Sequence, residues 1–124
     1  MYFTVNGQTW RLAFVPANSP DLQHSDGSIS LAVTDNGDKT VYISRRVHGA
    51  MLDKVLCHEL CHVFSFENDL HMPIETEEIV ADFLATYGRD VFAVADDILS
   101  IFAFVDNNTV IHYKSAKMCQ NMYK

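Results

Sequence analysis

Only three of the 124 residues are cysteine. An odd and small count gives no disulfide framework to build a fold on. Lysine and arginine are scarce, nine against sixteen Asp and Glu, leaving a net charge of −7. Nucleic-acid binding draws its affinity from a basic face, so that class of partner is set aside. Long apolar runs are missing as well. The longest, Ile98 to Val105, is interrupted by Ser100 and falls far short of the roughly 20 residues of a membrane span. The opening stretch, Met1 to Gly7, has neither the basic segment nor the apolar centre of a secretory leader. No internal repeat or low-complexity tract occurs. The expectation is a cytoplasmic protein with no membrane partner.

What is present describes a globule. Hydrophobic residues make up 48% of the chain and charged ones 20%, which suits one folded domain with a single core. That domain is expected over 1–124, with its core up to about residue 105 and a loosely held tail over 106–124. Ten of the sixteen acids lie between Glu67 and Asp106, where Arg89 is the only Lys or Arg. The second half should therefore carry a negative surface, which a bound cation would partly offset.

Along the chain, Tyr2–Val5 is β-prone and Asn6-Gly7 is a hairpin turn signal. Gln8–Val15 alternates, with Trp10, Leu12 and Phe14 on one face, as a half-buried strand does. Pro16–Gly27 reads as a loop. Ser28–Thr34 and Thr40–Ser44 flank Asp35-Asn36-Gly37-Asp38, the clearest hairpin of the sequence. Ser44 is a candidate N-cap for a helix reaching about Glu67, with Val47, Met51, Leu52, Val55 and Leu56 at helical spacing. After a break at Asn68–Pro73, a second helix opens at Glu75 or Thr76. Its expected buried stripe is Ile79, Phe83, Leu84, Tyr87 and Val91. A third helical stretch, about Val91–Val105, either continues it or turns after Gly88, and Lys114–Lys124 reads as a tail. Strands followed by helices give an α+β class: an antiparallel sheet of about three strands packed on two or three helices.

Within the first helix lies Cys57-His58-Glu59-Leu60-Cys61-His62. Positions four apart on a helix sit about 40° apart around its axis and about 6 Å along it. His58 and His62 therefore share a face and can grip one metal ion, while Glu59 stands about 100° further round. Two imidazoles and an uncommitted carboxylate are what zinc-assisted hydrolysis uses, with Glu59 as general base. A catalytic zinc takes three protein ligands. The leading third candidate is Glu78, with Asp82 four residues on and placed to hold a ligand histidine through its other ring nitrogen. Glu75, Glu77 and His71 remain alternatives for that third place. As alternatives to ligands, Glu75 and Glu77 read as a solvated first turn favoured by the helix dipole.

This combination, His58-Glu59-x-x-His62 followed by Glu78-x-x-x-Asp82, resembles the gluzincin metallopeptidases. The wording HELCH…EEIVADFLA looks most like their small phage-associated ImmA/IrrE-like members. The resemblance spans about residues 29–90, and Cys61 departs from the Gly that relatives often carry there. It implies a minimal zincin-like fold, a Zn2+ cofactor, a protein or peptide substrate, and a sheet edge bordering the cleft, its rim sought in residues 28–44. The alternative from a different class is a catalytically silent, metal-stabilised protein-interaction module of phage or mobile-element origin.

Other polar residues receive quieter readings. His24, His48 and His112 read as surface histidines. Tyr87, His112 and Tyr113 are candidates for a donor to the oxyanion. Cys57 and Cys61 read as small apolar side chains. A four-ligand knot from residues 57, 58, 61 and 62 fails because one helix cannot wrap an ion tetrahedrally. Haem attachment fails because Cys57-x-x-x-Cys61-His62 is one residue too long for it.

Overall fold

A computed structural model of the chain describes residues 1–104, 106–110 and 112. Its elements are β1 (Tyr2–Val5), β2 (Gln8–Val15), β3 (Ala32–Asp35), β4 (Thr40–Ser44), α1 (Gly49–Glu67) and α2 (Ile74–Ile101). Short 3-10 turns occur at Pro20–Leu22 and Phe102–Phe104. The class is α+β.

Two hairpins build the sheet, each from the turn chemistry visible in the sequence. Asn6 and Gly7 both take positive φ, 50° and 79°, as the two-residue turn joining β1 to β2 requires. In the second hairpin the Asp35 carboxylate accepts from the N–H groups of Gly37 (2.7 Å) and Asp38 (3.3 Å), which shapes the loop into β4. The strand order is β1-β2-β4-β3. Where about three antiparallel strands are expected, the described residues form four, and the central pair β2·β4 runs parallel. Each hairpin contributes its second arm to the centre, and the hairpins dock so that these two arms point the same way. The strand expected from residue 28 begins at Ala32; in the segment before it Ile29 forms an isolated bridge with Gln23, and Leu31 C=O accepts from Ser44 N–H.

The core lies between this sheet and α1. Trp10, Val41, Ile43 and Val63 are fully buried, with Leu52, Val55, Leu56 and Leu60 of α1 packed against them. Burying such side chains stabilises by about 1.5–3 kcal/mol each before chain entropy is counted. Ser44 does not cap the helix. It completes β4, pairing with Val15, and its Oγ accepts from Arg46 N–H at 3.2 Å in the turn beyond. Strand pairing thus claims Ser44, and α1 starts five residues later, after His48.

Two compact units divide the chain, Met1–Thr86 and a second beginning at Tyr87, with the boundary inside the unbroken helix α2. Gly88 therefore does not end the helix. The stripe expected to be buried on α2 is not: Ile79 is 70% exposed, and Phe83, Tyr87 and Val91 are also exposed. Glu77, Ala81, Ala85 and Gly88, spaced four, four and three apart, are the buried positions instead. Two alanines let the helix approach closely, and that approach brings Glu77 inside. The tail, Lys114–Lys124, and Tyr113 lie outside the described residues. Among the described residues, no helix is long and apolar enough to cross a membrane.

A lock ties the end of α1 to the sheet. The Glu67 carboxylate accepts from Lys39 Nζ (2.6 Å) and from Trp10 Nε1 (2.9 Å), and Lys39 lies over the Trp10 ring. The Lys39 ammonium first, and the indole N–H after it, hold the Glu67 carboxyl below its ordinary 4.5. A lowered folded-state value means that this contribution is present above pH 4.5 and is lost as pH falls through the folded value. Glu67→Gln is expected to melt below the native protein at pH 7, with the gap closing as the pH is taken down below 4.5. Thermal melts in chelator across that range check it without interference from metal.

Candidate metal centre

Helix α1 presents His58 and His62 on one face, and the first turns of α2 bring Glu78 against them. His58 Nε2 lies 3.1 Å from one Glu78 oxygen and His62 Nε2 lies 3.1 Å from the other. The two Nε2 atoms are 3.2 Å apart. Each ring's second nitrogen is committed elsewhere. His58 Nδ1–H donates to Asp82 and His62 Nδ1–H donates to Glu77, both at 2.9 Å. With Nδ1 protonated in each ring, both Nε2 lone pairs face one another and the Glu78 carboxylate. Such a grouping of acceptors could hold a cation at its centre.

The spacing suits one. With ligand bonds of about 2.0–2.1 Å, neighbouring donors stand about 3.3 Å apart in a tetrahedron and about 3.0 Å in an octahedron. The observed 3.1–3.2 Å falls between these. His58, His62 and Glu78 are therefore a group that could hold a metal ion.

The structure brings His58, His62, Glu78 and Asp82 together as the spacing suggested. It gives Glu77 a place of its own. Neither third ligand nor solvated first-turn acid, Glu77 is buried and braces His62. Glu75 and His71 are exposed and stand outside the group. Glu59 is only 7% exposed and is no member of the ligand set. Thr34 Oγ1 donates to Glu59 Oε2 at 2.5 Å, tying this carboxylate to β3. Thr34 carries no signal in the sequence beyond its place on the face of the strand that Ala32 shares. Glu77 was detectable in principle, since it stands four residues before Ala81 on a stripe of small residues.

The centre opens into a cleft of about 570 Å³ whose walls include His58, Glu59, His62 and Glu78. A second hollow of about 300 Å³ adjoins it and shares Ser30, Ala32, His58 and Glu59. His24 is exposed, as expected, and also lines the larger cleft, with its Nε2 against Ser30 Oγ. Tyr87 and His112 belong to the second unit. Cys61 is buried near the centre but is not in the ligand group. Burial first, then the carboxylates of Glu77 and Glu78, push its thiol up, so it stays protonated and a poor ligand. Neither Cys57 nor Cys61 is in a disulfide.

The sheet shows an open edge to this cleft. β3 is an outer strand, and Ser44 N–H donates to Leu31 C=O at 2.8 Å. In antiparallel pairing the hydrogen-bonded residues alternate. The N–H and C=O groups of Ala32 and Thr34 therefore point away from β4, and both residues line the larger cleft. Compared with known proteins, the chain matches no family model, no curated protein and no solved structure.

Proposed function

We propose that the chain is a zinc-dependent metallopeptidase that hydrolyses peptide bonds in a protein substrate. The observation that carries this reading is the pairing of a metal-spaced His58–His62–Glu78 group with a buried carboxylate, Glu59, that lies outside it. A helix-borne His-Glu-x-x-His favours zinc over iron or manganese. Zinc held there would supply Lewis acidity to a water molecule and to the substrate carbonyl.

The rest is done by side chains. Asp82 and Glu77 fix the two rings so that Nε2 of each offers its lone pair. Glu59 takes a proton from the attacking water and returns it to the departing amine nitrogen. Thr34 holds one oxygen of that carboxylate, limiting its swing. The free groups of Ala32 and Thr34 on β3 receive the substrate backbone as an added strand. Ser30 and His24 are the further side-chain donors in the larger cleft beyond the residues already assigned. We assign oxyanion stabilisation to His24, which lines the same cleft as the metal group. His24→Ala is expected to lower kcat by about 10²–10³-fold, with metal content and KM little changed, measured by steady-state kinetics beside elemental analysis.

The direct test is digestion of an unfolded protein by the zinc-loaded chain, with and without a chelator. Cleavage that the chelator abolishes supports the reading. Metal binding without cleavage would favour the interaction module instead.

A further inference from the structure

Apolar side chains are left in water on both sides of the His58–Glu59 pair. The larger cleft is walled by Val33, Phe66, Met72 and Ile74, the smaller by Leu31, Met51 and Val55. Phe66 and Ile74 are 39% and 60% exposed on one side, beside half-buried Val33 and Met72, and Leu31 and Met51 are 49% and 53% exposed on the other, beside half-buried Val55. Leaving this much apolar surface exposed beside a polar centre costs stability, which burial by a ligand would recover.

From this we infer the substrate class: an extended peptide segment carrying large apolar side chains on both sides of the bond that is cut. This inference rests on the peptidase reading and specifies it. A strand laid along the open edge of β3 passes Ser30, Ala32 and Thr34. It crosses from one hollow to the other over the residues they share, His58 and Glu59. The bond at the metal centre is thereby flanked by one hollow on each side. Side chains adjoining that bond enter the two apolar walls.

Charge makes the two sides unequal. Among the described residues no Lys or Arg lines the larger cleft, which holds Glu59, Glu77 and Glu78, whereas in the smaller one Lys54 offsets part of the charge of Glu59 and Asp82. An acidic side chain is therefore rejected on the larger side and tolerated better on the smaller.

The test uses the full zinc-loaded chain on a reduced, alkylated carrier protein, with cleavage sites mapped by mass spectrometry. Leu, Ile, Met or Phe is expected on both sides of the cut bonds. In matched synthetic hexapeptides, truncating either flanking residue to Ala should lower kcat/KM by about 10–200-fold. Asp should be tolerated at only one of the two positions, and Ile74→Lys should admit it at the other. A second readout is binding of the same hexapeptides to the zinc-loaded Glu59→Gln protein by fluorescence anisotropy, where the apolar pair should bind tightest. Glu59-dependent cleavage or binding with no apolar preference overturns the inference and leaves the peptidase reading standing. Absence of both cleavage and hexapeptide binding overturns the two together.

Discussion

Glu59→Gln is expected to lower peptide hydrolysis by about 10²–10⁴-fold, the share a positioned general base contributes, while metal content stays at the native level. The two halves of that result come from separate features of the structure. Glu59 stands outside the His58–His62–Glu78 group, so its loss removes no ligand. Its carboxylate is buried and receives the Thr34 hydroxyl. The Gln amide keeps the same volume and offers a carbonyl oxygen to Thr34, so the fold is preserved. What it lacks is a site for the proton of the attacking water. Rates on an apolar-flanked hexapeptide, read beside elemental analysis of both proteins, make the measurement. Hydrolysis retained at the native rate would remove Glu59 from the mechanism, whatever metal is bound.

Why Glu59 can play this part follows from helix geometry that the sequence already displays. A residue beside His58 is turned about 100° from it, and on α1 that rotation carries Glu59 to the side packed under β3, where Thr34 waits. The hairpins were equally legible, because Asn6-Gly7 and Asp35-Asn36-Gly37-Asp38 specify their own backbone locally. The parallel meeting of β2 and β4 was not, since it depends on how two hairpins dock over a loop of irregular structure. The start of α1 was misread for a related reason. Ser44 has the chemistry of a cap, but pairing with Val15 outweighs it. On α2, periodicity pointed to the large apolar residues as the buried face. The side that closes on the metal centre is instead Glu77, Ala81 and Ala85, chosen by size and by the demand of His62 for a partner. His24 is brought to the cleft by a loop, and loop placement carries no periodic signal.

Metal affinity should fall in a definite order when the carboxylates of the centre are removed one at a time. Glu78→Ala takes away the group lying 3.1 Å from both imidazoles, leaving two nitrogen donors where a catalytic zinc takes three protein ligands. Its loss is expected to exceed any other. Glu77→Gln and Asp82→Asn leave all three donors in place and act only through the rings, an effect of about 10–100-fold in affinity. Between those two the structure distinguishes. The Glu77 side chain is 8% exposed and braces the more buried histidine, whereas the Asp82 side chain is 70% exposed. Water can replace a lost acceptor at His58 more readily than at His62, so Glu77→Gln should weaken binding more than Asp82→Asn. Because metal binds the folded chain, the same order should appear in how far added zinc raises the melting temperature. Competition titrations with a chromogenic chelator, paired with thermal melts, read both. Full zinc affinity in Glu78→Ala would overturn the three-ligand centre, and equal losses in Glu77→Gln and Asp82→Asn would show that burial does not set the strength of these second contacts.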